Sequence, residues 1–137
     1  MKSVSLDKSE LSSDEQELYR ENILDHYKHP RHYTVLPSFT HTHRELNPLC
    51  GDELEVYLNV KQGRVENISF QGKGCAISQA AMSLLTDAML GKRFEEVMRL
   101  SKEAIFSLLG IPISSVRTKC ALLSLKTVQM ALGGTNE

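Results

Sequence analysis

The central part of the chain alternates between apolar and polar side chains, which is typical of a half-buried β-strand. Leucine and valine occupy every second position of residues 54–60, and glutamate, tyrosine and asparagine lie between them. Gln62 and Gly63 form a turn signal, and residues 65–70 then supply a second apolar run with strand character. The pattern predicts a β-hairpin. Gly72 and Gly74 interrupt the second strand.

Helical spacing of apolar residues precedes this hairpin. Ser13 and Gln16 have the spacing of a capping box, and Pro30 is incompatible with a continuing helix, so one helix is predicted between them. Its predicted apolar face consists of Tyr19, Ile23 and Tyr27. Residues 1–12 are polar and mixed in charge, which predicts a flexible arm. Residues 31–48 are predicted to be a connector with a short edge strand near residues 41–46.

Three further helical segments are predicted after the hairpin. Residues 76–90 are apolar around most of the circumference, so this helix is expected to pack on more than one side. Only a narrow strip of it is polar: Gln79, Ser83, Thr86 and Asp87. A shorter helical region covers residues 94–109. The order of elements predicts an α+β fold, a small antiparallel β-sheet with helices packed on one face, in a single domain of residues 13–137.

The last helix is predicted to begin near Arg117 and to run to about Leu132, where two glycines follow. Its core stripe is predicted to be Ala121, Leu125, Val128 and Leu132. Leu123 and Met130 fall on another face. Two alternatives stand for this pair: a docking face for a partner protein, or burial by the first helix.

Composition and net charge indicate which partners and which compartment to expect for this protein. The chain has 137 residues, is 41% hydrophobic and 24% charged, and carries a net charge of -1, so no nucleic-acid or membrane partner is expected. No signal peptide is expected, because no apolar run follows Lys2, and no transmembrane helix is expected, because no run of about 18 apolar residues is present. Three cysteines cannot all pair with one another, and a reducing cytoplasm suits them.

The three cysteines lie where loops meet apolar segments. Cys50 is followed by Gly51 and Asp52, Cys75 follows two glycines, and Cys120 lies near the predicted start of the last helix. Thiolates suit zinc and iron–sulfur clusters, and three cysteines with one carboxylate are a permitted set for tetrahedral zinc. The hypothesis is a metal centre of Cys50, Asp52, Cys75 and Cys120. The alternative is that the cysteines are three small buried hydrophobic residues.

The charge around the cysteines is expected to favour their thiolate forms. Cys75 and Cys120 are each placed near a predicted helix N-terminus, whose partial positive charge stabilises a thiolate. Arg117 and Lys119 lie close to Cys120 in sequence and are expected to act in the same direction. The five histidines offer a second possible metal site, in one cluster of His26, His29 and His32 and one pair of His41 and His43. Solvated surface histidines are the expected alternative.

Four segments together resemble one family. Residues 18–31 resemble the opening helix of the IscU/SufU/NifU N-terminal-domain family of iron–sulfur cluster assembly proteins. Residues 47–52 (Asn-Pro-Leu-Cys-Gly-Asp), 70–78 (Phe-Gln-Gly-Lys-Gly-Cys-Ala-Ile-Ser) and 117–123 (Arg-Thr-Lys-Cys-Ala-Leu-Leu) resemble its three ligand loops. The match includes every cysteine in order.

The resemblance implies a scaffold that accepts sulfur from a cysteine desulfurase and holds a transient [2Fe-2S] cluster for transfer to apo iron–sulfur acceptor proteins. It also implies a set of four ligands: Cys50, Asp52, Cys75 and Cys120. These residues would bind zinc in the resting protein, and iron and the cluster during assembly. Cys120 is the candidate persulfide carrier. A non-enzymatic scaffold is expected, and the alternative is a SufU-type zinc-dependent sulfurtransferase.

The two branches of the family differ at the third loop. IscU-type members have a histidine before the third cysteine and a Leu-Pro-Pro-Val-Lys motif, where this chain has Lys119 and Ile-Ser-Ser-Val-Arg at residues 113–117. SufU-type members share the Arg-x-Lys-Cys pattern but have a longer segment between the second and third cysteines. This chain therefore combines a SufU-like third loop with an IscU-like length.

Overall fold

The structure, a computed structural model, describes residues 13–48 and 50–133. The predicted arm, residues 1–12, lies outside the described residues. In chain order the elements are α1 (Ser13–Lys28), β1 (His41–Asn47), β2 (Asp52–Lys61), β3 (Arg64–Lys73), α2 (Ala76–Met89), α3 (Phe94–Met98), α4 (Lys102–Leu109) and α5 (Ser115–Ala131).

The three strands form one antiparallel sheet in the order β1-β2-β3. Gln62 and Gly63 connect β2 to β3 with φ angles of 54° and 78°, which is the left-handed backbone that a tight two-residue hairpin requires. The predicted hairpin is confirmed, and both of its strands are longer than the alternation indicated. The predicted edge strand is also present as β1, which pairs with β2 along its full length.

The core lies between one face of the sheet and the helices α2 and α5. Leu54, Val56 and Leu58 of β2 point into it and are fully buried, as is Phe70 of β3. Helix α5 packs on α2, α4, β1 and β2, and α1 packs on α2. The α+β class with helices on one face of the sheet is therefore confirmed.

The buried face of α1 differs from the predicted one. Ile23 is buried as expected, but Tyr19 and Tyr27 are exposed, and His26 is the second buried residue of this helix. His26 Nδ1 lies 2.7 Å from the hydroxyl oxygen of Ser83 on α2, and that oxygen also accepts a hydrogen bond of 2.8 Å from the backbone N–H of Arg31. The polar pair of His26 and Ser83 thus lies between α1 and α2, where the fourfold spacing had predicted an apolar face with Tyr19 and Tyr27.

Helix α2 packs on more than one side, as its composition predicted. Three members of its polar strip, Gln79, Ser83 and Thr86, are buried, and only Asp87 is exposed. The hydroxyl of Thr86 donates to the backbone carbonyl of Ser83 within the same helix. The strip is buried because α1 covers it.

The C-terminal third contains three helices. The predicted helical region of residues 94–109 is divided into α3 and α4, and Gly110 ends α4 with a left-handed φ of 74°. Helix α5 begins two residues before Arg117 because the Ser114 side chain accepts a hydrogen bond from the Arg117 N–H and caps the helix. The side-chain amide of Gln129 donates to the carbonyls of Val97, Met98 and Leu100, which joins α5 to the end of α3.

The predicted core stripe of α5 is buried throughout, at Ala121, Leu125, Val128 and Leu132. Leu123 is only 5% exposed, so the prediction that it contributes to a docking face is wrong. A helix that packs on two other helices and two strands has little free surface, and its side positions are buried with the stripe. Met130 is half-buried.

Candidate metal centre

The first cysteine lies in a tight connection between β1 and β2. The carbonyl of Asn47 accepts hydrogen bonds from the N–H groups of Cys50 (3.2 Å) and Gly51 (2.9 Å), and Gly51 has a φ of 71°. The turn leaves Cys50 exposed and places Asp52 at the first position of β2, where it is only 1% exposed. A short turn therefore brings a solvent-facing thiol and a buried carboxylate together.

The second cysteine follows β3 through Gly74. This glycine has a φ of 140°, and a Cβ atom there would overlap the Asp52 carboxylate and lie 2.9 Å from the Asp52 Cα. The close approach allows the backbone N–H of Cys75 to donate a 2.9 Å hydrogen bond to Asp52 Oδ1. Cys75 itself is half-buried and is the N-cap residue of α2, as the sequence indicated.

The third cysteine is on α5. Cys120 is fully buried, and its sulfur lies 3.0 Å from the sulfur of Cys50. Since α5 begins at Ser115, Cys120 is in the second turn of the helix rather than at its start. The helix N-terminus is therefore a weaker influence on this thiol than the sequence suggested.

Three of the four predicted ligands converge. The candidate ligand atoms of Cys50, Asp52 and Cys120 all lie within 4.8 Å of one another, and this is the one group of its kind in residues 13–48 and 50–133. Cys75 is outside that group, although its backbone is bonded to Asp52. The four-residue ligand set thus stays a prediction, with three members in place and the fourth on an adjoining loop.

The donor set suits a thiophilic cation. Asp52 Oδ1 is occupied by the Cys75 N–H, whereas Oδ2 is buried and has no hydrogen-bond partner in the described structure. Such a buried polar atom is costly, and a cation satisfies it directly. Two thiols beside a free carboxylate oxygen, with a third thiol close by, match the ligands that zinc and iron accept.

The electrostatics of the thiols differ from the sequence expectation. Burial is the main cause that raises the pKa of the Cys120 thiol far above its ordinary value, and the neighbouring Cys50 and Asp52 side chains act in the same direction. Arg117 interacts with all three thiols: Cys75 is the main cause that raises the pKa of the guanidinium, and the charges of Cys120 and Cys50 add to it. The protein groups alone therefore favour the neutral thiol of Cys120, not the thiolate that the sequence suggested. A bound cation would deprotonate this thiol.

The histidines do not form a second metal site among the described residues. His32 bonds to Asp87, His41 to Thr40 and His43 to Glu45. His26 is buried against Ser83, so the expectation of a solvated side chain is wrong for this residue.

The sequence did not predict the structural roles of two residues near the site. Asn47 closes the first loop with its carbonyl, and Tyr33 contacts the second loop through its hydroxyl. Neither carries a thiol, an imidazole or a carboxylate, and no spacing pattern links Tyr33 to a loop 39 residues away. No helix in the described part of the chain combines the length and apolar character needed to cross a membrane.

Residues 18–135 match the family of NifU-like N terminal domains. This chain therefore belongs to that family, as the four sequence segments predicted. It is 35% identical over 131 residues to the zinc-dependent sulfurtransferase SufU of Bacillus subtilis, covering 82% of this chain and 87% of the relative. It is 33% identical over 131 residues to the iron-sulfur cluster assembly scaffold protein IscU of Thermotoga maritima, covering 84% and 92%.

A solved structure supports the fold. The N-terminal part of a nitrogen-fixing NifU-like protein from Brucella abortus superposes with a TM-score of 0.71 at 20% sequence identity, covering 86% of this chain and 94% of that one. The elements that carry the three cysteines thus belong to an arrangement of strands and helices shared with that protein.

Proposed function

We propose that this protein is a scaffold for iron–sulfur cluster assembly. It accepts sulfur from a cysteine desulfurase, holds a transient [2Fe-2S] cluster, and passes it to apo acceptor proteins. The observation that carries the proposal is the convergence of Cys50, Asp52 and Cys120, together with a buried Asp52 carboxylate oxygen that has no hydrogen-bond partner in the described structure. The iron–sulfur cluster is cargo here, not a resident cofactor.

The proposed ligands are Cys50, Asp52, Cys75 and Cys120, for zinc in the resting protein as for the cluster. Zinc, when bound, would hold the thiols as thiolates and protect them until sulfur arrives. The exposed Cys50 gives the site contact with solvent, and the buried Cys120 and Asp52 form its inner wall. The Asp52 carboxylate is a harder donor than the thiolates, so its bond to iron or zinc is the one that should break most readily.

The second candidate function is that of a zinc-dependent sulfur acceptor, like the SufU relative. Arg117 favours it, because its guanidinium interacts most strongly with Cys75 and is placed to stabilise negative charge on a sulfur atom. Assignment of the persulfide to Cys120 remains a proposal. Cys120 is buried in this structure, so delivery of sulfur to it requires the first loop to move or Cys50 to receive the sulfur first.

The partners that we propose are a cysteine desulfurase and apo iron–sulfur acceptor proteins. The SufU relative is a zinc-dependent sulfurtransferase and the IscU relative is an iron-sulfur cluster assembly scaffold protein, and both functions support this choice. The compartment that we propose is a reducing cytoplasm, because the cysteines are unpaired and their thiols are required for the function.

One experiment separates the candidate functions. The purified protein is assayed for zinc and then incubated without oxygen with a cysteine desulfurase, cysteine, ferrous iron and a reductant. A visible chromophore with acid-labile sulfide supports the scaffold. Retained zinc and the added mass of one sulfur atom on a cysteine support the sulfur acceptor. If neither forms, with a known scaffold as positive control, both proposals are overturned.

A further inference from the structure

The hydroxyl of Tyr33 holds the backbone of the loop that carries Cys75. It donates a 2.7 Å hydrogen bond to the carbonyl oxygen of Gly72 and accepts a 3.2 Å hydrogen bond from the Gly72 N–H. A single side-chain atom thus satisfies both backbone polar groups of one residue. Gly72 is three residues before Cys75, at the end of β3, so this contact fixes the point where the loop leaves the sheet.

Backbone and ring contacts also hold Tyr33 in place, independently of its hydroxyl. Its backbone forms an isolated bridge with Phe70 of β3, beside a 2.9 Å hydrogen bond from the Phe70 N–H to the His32 carbonyl. The rings of Tyr33 and Phe70 also pack edge to face, with centroids 5.1 Å apart. Removing the hydroxyl alone should therefore leave the ring where it is, which makes Tyr33→Phe an informative change.

The opposite side of the loop is confined by β2. A Cβ atom on Gly72 would overlap the Glu53 carbonyl oxygen and lie 2.8 Å from Leu54 Cδ2, and the backbone N–H of Cys75 is bonded to Asp52 Oδ1. The loop is thus attached at its start by Tyr33 and at its end by Asp52. Asp52 is itself a proposed ligand, so Tyr33 is the side-chain attachment that takes no part in binding the metal, and it lies on the edge of β3 that does not pair with β2.

We propose that Tyr33 is a positioning residue that sets the place of Cys75 relative to Cys50, Asp52 and Cys120. Cys75 is the one predicted ligand outside the converged group, so its distance from the site depends on where the loop is held. With the hydroxyl in place, the loop is restricted to conformations that keep Cys75 beside Asp52. Without it, the loop samples more conformations, and closing the site around a cation costs more entropy. This inference rests on the proposed role of Cys75 as a ligand.

The chain offers a matched control. Tyr27 and Tyr33 border the same open cleft of about 410 Å³, which is also lined by Gly72, Lys73 and Gly74. Both tyrosines are 42% exposed, but the hydroxyl of Tyr27 makes no hydrogen bond within residues 13–48 and 50–133. Tyr27→Phe therefore removes a comparable exposed hydroxyl without releasing the loop.

The test compares the wild-type protein, Tyr33→Phe and Tyr27→Phe in two measurements. The first is the alkylation rate of each cysteine in the metal-free protein, followed by mass spectrometry of peptides. The second is the affinity for zinc, measured by competition with a chelating dye. For Tyr33→Phe we expect alkylation of Cys75 to accelerate about fivefold and zinc affinity to fall about fivefold, a factor that corresponds to about 1 kcal/mol. The rate at Cys50 should stay unchanged, and Tyr27→Phe should match the wild type.

Two results would overturn the inference. One is an unchanged Cys75 rate in Tyr33→Phe. The other is an equal acceleration at Cys50 and Cys75, because a general loss of stability would affect both thiols. The two proposals fail separately: if the wild-type protein binds neither zinc nor a cluster, the proposed function is lost, while the alkylation pattern still decides whether Tyr33 positions the loop.

Discussion

The sulfur atoms of Cys50 and Cys120 lie 3.0 Å apart although the two residues are separated by 70 positions in the chain. One thiol is exposed and the other is fully buried, so the pair connects the surface of the protein with the inner wall of the proposed site. Asp52 completes this group, and Cys75 lies on the adjoining loop.

The role of Cys75 decides whether the site has three protein ligands or four. We expect Cys75→Ser to weaken zinc binding by at least about tenfold, as Cys50→Ser and Cys120→Ser should, because each change removes a soft donor from a four-ligand set. Competition with a chelating dye measures the affinity. Wild-type affinity in Cys75→Ser would show that this residue is not a ligand and that the site consists of the converged group alone.

Asp52 is expected to govern release of the cluster. A carboxylate is a harder and weaker partner than a thiolate for iron in a sulfur-rich centre, so Asp52→Cys should still accept a cluster but hold it longer. The measurement is the decay of cluster absorbance in the presence of an apo acceptor, for the variant and the wild type side by side. Equal transfer rates would argue against a labile corner, and a variant that forms no cluster would place the need for Asp52 in assembly.

Gly74 is required for the close approach of the second loop to Asp52. Gly74→Ala places a Cβ atom against the Asp52 side chain at a φ of 140°, so we expect the free energy of unfolding to fall by about 2–3 kcal/mol. Denaturant unfolding of the metal-free protein measures this loss. Gly91→Ala is the control, because its φ of 82° is also left-handed but no atom lies within 4 Å of the added Cβ. A loss as small as that of the control, about 1 kcal/mol, would contradict the steric argument.

His26 should make the stability of the fold depend on pH. Its burial between α1 and α2, aided by the charge of Arg31, lowers the pKa of His26 below the ordinary 6.5, while Asp87 and Asp25 act in the opposite direction. The unfolded chain then binds a proton at a higher pH than the folded chain. The free energy of unfolding should therefore be greatest above about pH 6.5 and should fall as the pH is lowered through that value toward the depressed pKa.

The contribution of His26 can be isolated by substitution. In His26→Gln, thermal unfolding followed from about pH 7.5 to about pH 5.5 should show a shallower loss of stability than in the wild-type protein. His29→Gln is the control, since His29 is exposed and directly follows the last residue of α1. Parallel curves for the wild type and His26→Gln would show that His26 does not bind protons differently in the folded and unfolded states.

Apolar periodicity predicted most of the elements of this fold. The alternation in β2 and the fourfold spacing in α5 reflect burial on one face, and a regular burial pattern leaves a regular trace in the sequence. The burial of His26 left no such trace, because its partner Ser83 is 57 positions away and becomes a neighbour only when α1 packs on α2. A periodic pattern of apolar residues does not reveal a buried polar pair.

The site was predictable in its chemistry but not in its geometry. Glycines beside Cys50 and Cys75 indicated backbone that approaches closely, and the structure shows that approach at Gly74 and Asp52. The contact of Arg117 with Cys75 could not be predicted, because adjacency in sequence pointed to Cys120. Which side chains meet across a site depends on how α5 is rotated against the sheet, and that rotation is set by packing of the whole core.

The order in which the chain folds follows from the two-residue turn at Gln62 and Gly63. Short loops close at lower entropic cost than long ones, so the β2–β3 hairpin should pair early and bring Asp52 and Cys75 together. Cys120 is added only when α5 docks, and during synthesis α5 leaves the ribosome after the three strands and α1–α4. A nascent chain therefore presents an incomplete set of donors. Only a chain in which α5 has docked would offer all four proposed ligands, so stable binding of the cluster should be restricted to the fully folded protein.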